Sequence, residues 1–310
     1  MRKLAGKILI LFIPLCLLPL NILNASENTP PWILFQRGMH FYDQRNFGEA
    51  FRYFRQVTAR AEHPEAEYWI GRIFENEGQN TLALRQFERA LDIAYRATSD
   101  EFHIAVLLSV ARIYERQERH DLYEITLLRI INDVKRAVRA DMEYERVLGD
   151  RLISLGLDRV IFYFRYELDS LITPYGDLGV FYFKSARDRD AIRQLASASV
   201  IILSRLIEAN RGYNPHYEYT NVRSLILSSE RNDRMREYMI ESGLYRYLFF
   251  LALSLDNIGE IRQANYILGF LAESVVRNNY NDISLRIRNN NFSARDKDGV
   301  KRALLFNRGN

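Results

Sequence analysis

A chain of 310 residues, 48% hydrophobic and 26% charged, holds ample apolar material to fold and is too long for one small core. Seven prolines and fifteen glycines exclude collagen-like, linker-like and turn-dense all-β chains, and a single cysteine excludes a disulfide framework or a multi-cysteine metal site. The net charge of +4 falls to +1 once Arg2, Lys3 and Lys7 are set aside, so the body lacks the basic surplus of a nucleic-acid binder.

Those three cations open residues 1–25, which contain no acid. Ile8–Leu23 is apolar apart from Asn21 and is interrupted by Pro14 and Pro19. That stretch is short for a spanning helix, and two prolines would disrupt one. An export signal ending near Ala25 fits better, with an uncleaved N-terminal anchor as the alternative. Cys16 lies inside the apolar stretch after Leu15, which excludes a lipidation site. The expected location is therefore exported and periplasmic, with membrane contact only through this segment.

Helix signals begin at Thr29-Pro30-Pro31, and an internal repeat follows. Gly38, Phe41, Phe47, Ala50, Phe54 and Val57 recur, with the same internal spacing, as Gly71, Phe74, Asn80, Ala83, Phe87 and Ala90. After a longer junction they recur once more as Ala111, Tyr114, His120, Tyr123, Leu127 and Ile130. The spacing predicts paired helices, the first of each pair ending near Gln44, Glu77 or Gln117, the second burying small and aromatic residues at helical offsets. Gly38 with Ala50, and Gly71 with Ala83, allow a close antiparallel approach, and Phe41, Phe54, Phe74 and Phe87 fill the space beside them.

The same offsets return as Gly179, Tyr182, Ala186, Ala191, Leu195 and Ala198, and as Ala252, Leu255, Gly259, Ala264, Leu268 and Leu271. The interval from Ala111 to Gly179 spans two repeat lengths and leaves room for a degenerate copy around Gly149, Leu152 and Gly156. The interval from Gly179 to Ala252 is slightly longer and leaves room for a hidden copy near Tyr213–Ser242. Thr173–Asp177 and Asn210–Pro215 read as loops. Val160–Tyr166 and Val180–Phe183 are rich in strand-forming residues, so a β-hairpin insert competes there with the repeat register, which favours helix. The chain past Arg286 is polar and basic.

This pattern resembles the tetratricopeptide repeat family, an array of helix–turn–helix units of about 34 residues. The resemblance is carried by Gly38/Phe41/Ala50/Phe54 and Gly71/Phe74/Gly78/Ala83/Phe87/Ala90. It is clear over Pro31–Ile131 and weak beyond, where Gly179, Ala191, Gly259 and Ala264 extend it. Leu34 stands where the family has an early Trp, and the third copy, built around Tyr114, lacks both glycines. The resemblance implies an all-α, right-handed superhelical solenoid of stacked helix pairs. Its expected organisation is a segment 1–25, three clear repeats over 30–140, degenerate repeats over 141–285 and a tail 286–310.

In the family, the first helix of each unit lines a groove that binds partner proteins. Carried over, that groove would present Met39 and Tyr42, then Tyr68, Arg72 and Glu75, then Arg112, Glu115 and Arg116. Arg72 and Arg112 share one repeat position and would suit an acidic segment or carboxylate; equally, Arg72–Glu75 and Arg112–Glu115 could pair along their own helices. The positions at which chaperone-type members clamp a C-terminal carboxylate hold Phe35, Met39, Trp69, Ala105 and Ser109 here, so that clamp is absent.

Catalytic signals are missing. The five histidines have no metal-ligand spacing, and no nucleophile elbow, phosphate-binding loop or dinucleotide fingerprint occurs. The expectation is a non-enzymatic protein without metal or cofactor, a protein–protein scaffold of the bacterial envelope. Candidate settings are outer-membrane biogenesis, transport-complex adaptors and a collar around a flagellar motor. The rival is a small-molecule-binding or adaptor component of a periplasmic transport system, using an aromatic pocket near Phe162–Tyr166 and Phe181–Phe183.

Overall fold

The computed structural model describes residues 29–94, 100–164 and 168–274. The leading segment 1–25 and the tail 286–310 lie outside the described residues. Three hairpins come first: α1 (Pro31–Asp43) with α2 (Phe47–Thr58), α3 (Pro64–Asn76) with α4 (Asn80–Ala94), and α5 (Asp100–Arg116) with α6 (His120–Ala137). Then follow α7 (Tyr144–Leu155) and α8 (Leu157–Tyr163), a one-turn 3-10 helix at Asp169–Leu171, and α9 (Ile172–Lys184) with α10 (Asp188–Tyr213). Two more pairs close the described chain: α11 (Val222–Ser229) with α12 (Asp233–Glu241), and α13 (Leu244–Asn257) with α14 (Ile261–Glu273). The architecture is an all-α, tetratricopeptide-like repeat array.

Local signals explain several helix starts. The Asn46 side chain accepts the Glu49 N–H at 3.3 Å, and His63 Nδ1 accepts the Ala66 N–H at 3.3 Å just ahead of Pro64 in the first turn. Asn221 and Asn232 cap α11 and α12 in the same way. In α2 the buried residues are Ala50, Phe54 and Val57, spaced to form one stripe.

One turn closes five of the pairs. Arg45, Gly78, Glu118, Ala186 and Gly259 take φ of 58°, 75°, 55°, 56° and 90°. At each, the next N–H reaches the carbonyl five residues back: Asn46 to Phe41 (2.9 Å), Gln79 to Phe74 (2.8 Å), Arg119 to Tyr114 (3.0 Å), Arg187 to Tyr182 (2.9 Å) and Glu260 to Leu255 (2.9 Å). That bond pattern is the left-handed helix terminus usually built on glycine. Here three non-glycine residues adopt it, because each lies between two helices whose packing is already set.

A second contact repeats with the turn. A Cβ on Gly38 would stand 2.6 Å from the Phe54 ring, one on Gly71 2.6 Å from the Phe87 ring, and one on Gly179 2.6 Å from Leu195. The small residue of the first helix thus seats the large residue of the second, while Ala50, Ala83, Ala90, Ala191 and Ala264 are fully buried alongside. Phe41 stacks on Tyr53 within the first pair, and Phe51 of α2 meets Phe74 of α3 edge-on, joining the first pair to the second.

The five pairs that share the turn, three of them with the seated large residue as well, form the array. α6 packs on α9, and α9 and α10 both pack on α13, so α9/α10 and α13/α14 are the fourth and fifth units. The pair α7/α8 lies beside this line: α7 packs on α10, and Gly149 receives Arg193 of α10 instead of a residue from α8. The pair α11/α12 bridges α10 and α13. Helices therefore exist where degenerate and hidden copies were expected, but they are insertions between units. Their lengths come close to one repeat, which is why spacing alone read them as copies.

Two loop expectations change, and the hairpin alternative gives way to the helix that the repeat register favoured. Thr173–Asp177 is the start of α9 and not a loop: Pro174 falls in the first turn, where it removes no helical hydrogen bond, and Gly176 makes room for the Tyr247 ring. Asn210–Tyr213 continues α10, whose C-cap is Asn214, so the loop begins later than read. Val160–Tyr163 and Val180–Phe183 are helical, in α8 and α9, and no strand occurs among the described residues.

The core divides accordingly. Leu34, Ala50, Phe54, Val57, Ala66, Ile70 and Ile73 form one small cluster across α1–α3, and Ala83, Phe87, Val106, Val110 and Ile113 form another across α4 and α5. From α5 onward a single cluster runs to Leu271. Its axis is α10, buried on all sides from Ala191 to Leu203 except at Arg193 and Gln194.

Candidate functional site

The first helices α1, α3 and α5 present one face, with aromatic residues at its α1 end and charge at its α5 end. Met39 is half-buried against the first small core. Tyr42 packs against Trp69 at 4.7 Å between ring centroids, and its hydroxyl accepts from Asn76 Nδ2 at 3.0 Å. Tyr68 lies against Trp69, Phe87 and Phe102. Its hydroxyl accepts from Arg72 Nη1 at 3.0 Å and approaches Ser109 Oγ at 3.4 Å.

The charged part centres on Glu75, whose side chain is only 4% exposed. Arg72 Nε lies 3.0 Å from Glu75 Oε2; Arg116 Nη2 lies 2.9 Å and Arg112 Nε 3.6 Å from Oε1. Arg112 also donates to Ser109 Oγ at 2.7 Å. Three guanidiniums from two successive units thus share one carboxylate, a local surplus of two positive charges. Burial works against the Arg72 charge. Its hydrogen bond to Tyr68, with the fields of Tyr68, Tyr42 and Glu75, outweighs burial and raises its pKa above the ordinary guanidinium value.

The eight residues taken from the sequence fall into three groups. Tyr42, Tyr68, Arg72, Arg112 and Arg116 lie on this face, with Met39 set half into the core behind it. Glu75 lies beneath it, holding the arginines. Glu115 points further along, to a cleft of about 170 Å³ shared with Asp177 and Arg246, which pair at 2.8 Å. Of the two pairs expected along the helices, Arg72–Glu75 forms, whereas Arg112 crosses to Glu75 of the preceding unit instead of pairing with Glu115. Trp69 and Ser109 were not assigned to this face from the sequence. Both occupy the same repeat position, between the aromatic and arginine rows, and that shared register was the available signal.

Among the described residues, no ring contact joins the two aromatic runs invoked for a closed pocket. Phe181 contacts His120 and Tyr123, and Phe183 contacts Phe250, while Phe162 and Tyr163 stand on α8. Among the described residues no three His, Cys, Asp or Glu side chains are placed to hold a metal ion, and no helix is long and apolar enough to cross a membrane.

No family model matches this chain. An uncharacterized protein of Borreliella burgdorferi is 20% identical over 234 residues, covering 66% of this chain and 71% of that protein. Among solved structures, the nearly identical TPR-like repeats of a Podosopora anserina protein named for kinesin light chain align with a TM-score of 0.43 and 14% identity, over 79% of this chain and 96% of that one. The TPR2AB domain of yeast Sti1, solved in complex with pHSP90, aligns with a TM-score of 0.32 and 14% identity, over 88% of this chain and 98% of that one. The five repeated turns and the seated large residues carry the tetratricopeptide-like assignment here.

Proposed function

We propose that this protein is a non-enzymatic scaffold that binds a partner protein across the α1–α3–α5 face, taking an acidic segment of that partner. The observation that carries the reading is the convergence of Arg72, Arg112 and Arg116 on Glu75. One buried carboxylate cannot neutralise three guanidiniums, and Arg112 and Arg116 keep about half their side-chain surface open to solvent. Arginine's planar fork suits a second carboxylate supplied by a partner. Tyr42 and Trp69 beside them add the aromatic surface that interfaces favour.

The proposed setting is the bacterial envelope, in an assembly of the kind that builds the outer membrane, adapts a transporter or surrounds a flagellar motor. Its support is the sequence of residues 1–25, with Arg2, Lys3 and Lys7 before an apolar stretch. Cross-linking in intact cells with mass spectrometry, comparing wild type with Arg72→Glu/Arg112→Glu, tests both parts. The expected result is a large envelope partner captured by the wild type and lost from the variant. Retention of every partner by the variant removes this face from the account, and recovery of a cytoplasmic chain retaining Met1 removes the envelope.

A further inference from the structure

A second surface lies where the inserted pair α7/α8 leaves the array. Arg151, Arg159, Phe162, Tyr163 and Tyr219 line an open cleft of about 880 Å³. Phe162 and Tyr163 are 65% and 71% exposed, with ring centroids 5.6 Å apart in an edge-to-face arrangement. Two adjacent rings turned to water contribute little to folding, since burying them is what stabilises a fold.

The charges around these rings are unevenly spent. Asp158 lines the cleft, but its Oδ1 already accepts the Val222 N–H at 2.8 Å and the Tyr266 hydroxyl at 2.9 Å. The Tyr219 hydroxyl donates to the Asp158 carbonyl at 3.3 Å. Asp150, next to Arg151, is shared by Arg146 and Arg193. Arg151 and Arg159 are exposed, and neither has an ion-pair partner among the described residues. Among the described residues lining the cleft, two guanidiniums against one engaged carboxylate leave a surplus of one positive charge.

We propose that this cleft binds a small organic monoanion with a flat aromatic body, its carboxylate on Arg151 and Arg159 and its ring against Phe162 and Tyr163. A guanidinium pair is the donor set that a planar carboxylate fits, and aromatic ligands pack edge-to-face or offset against rings so placed. The cleft volume falls in the range of small-molecule sites. A singly charged ligand matches the surplus of one. The site shares no residue with the α1–α3–α5 face and does not depend on protein binding there.

The probe is 2-naphthoate, titrated into the full chain and read by saturation-transfer NMR. It is compared with 2-naphthylmethanol, which keeps the ring without the charge, and with acetate, which keeps the charge without the ring. Saturable binding of 2-naphthoate is expected, with both comparators weaker by about tenfold or more. Arg151→Ala/Arg159→Ala and Phe162→Ala/Tyr163→Ala should each weaken it by about tenfold, with helical circular dichroism unchanged because all four side chains are exposed. Arg112→Ala, in the α1–α3–α5 face, should leave it unchanged. Equal binding of the neutral alcohol, retention in the arginine variant, loss in Arg112→Ala or no saturable binding would each overturn the proposal. So would binding confined to a peptide ending in a phenylalanine carboxylate, which would make the occupant a chain terminus.

Discussion

From Pro31 to Ala137 the chain stacks three hairpins directly on one another; from Tyr144 to Glu273 it adds a helix pair before each of two further hairpins. The first region buries the apolar residues of α1–α4 and part of α5 in two small clusters, each shared by neighbouring helices, while the rest of α5 and α6 joins the larger core. The second gathers them into one core around α10, a 26-residue helix wrapped by α7, α9, α11 and α13. Both regions use the same left-handed turn and the same small-under-large contact. The difference shows that a repeat array changes from a line into a compact body when material is inserted between units and a second helix is lengthened to reach it, from 12, 15 and 18 residues in α2, α4 and α6 to 26 in α10. A line holds together by nearest-neighbour contacts, so the first region should open locally and the second cooperatively.

The largest effect is expected at the joint between them. Lys135 at the end of α6 is 2% exposed, and its Nζ lies 2.7 Å from both oxygens of Glu145 on α7. The Tyr175 hydroxyl of α9 donates to the same carboxylate. Glu145→Ala would leave Lys135 buried without its acid, a loss of about 3–5 kcal/mol in denaturant unfolding. Lys135→Met/Glu145→Leu should recover most of it, since an apolar pair of similar size replaces both charges. A single variant within about 1 kcal/mol of wild type would mean that other contacts hold α7 to the array.

Within the first region, Gly71→Leu should cost about 1–3 kcal/mol, because even its Cβ would collide with the fully buried Phe87 ring. The sharper readout is hydrogen exchange. Protection should fall across α1–α4 while α9 and α10 keep theirs; an equal fall everywhere would erase the distinction between line and body.

The smallest effect is a gain. Glu118 and Ala186 hold φ of 55° and 56°, where a side chain is strained and glycine is not. Glu118→Gly and Ala186→Gly should each stabilise by up to about 1 kcal/mol, measured as a rise in Tm. A loss at either position would show that its side chain contributes more than its backbone costs.

Much of the array was legible before any coordinates. Gly71, Phe74 and Phe87 mark their packing positions, and Gly78 and Gly259 mark the turn. Arg72 and Arg112 could be placed on one face because they share a register. Other features were hidden for physical reasons. Arg45, Glu118 and Ala186 adopt the glycine conformation without being glycine, since tertiary packing overrides local preference. Pro174 and Gly176 signal a turn, yet a proline in a first turn loses no hydrogen bond and a glycine beneath Tyr247 serves packing. Above all, the intervals from Ala111 to Gly179 and from Gly179 to Ala252 admit either a weak repeat or an insertion. Spacing records separation along the chain and not which helix touches which. Glu75 could be assigned to the right helix but not to its depth, which depends on arginines arriving from the next unit.

The array as described requires that α9 be the fourth first helix, seated directly on α6, with α7 and α8 set aside. His120 at the start of α6 and Phe181 on α9 have ring centroids 5.8 Å apart. In a Cys16→Ser background, His120→Cys/Phe181→Cys treated with dibromobimane should yield the fluorescent doubly reacted product within one chain, while His120→Cys/Leu155→Cys, joining α6 to α7, should not. Cross-linking of the second pair and not the first would place α7 in line and contradict the account.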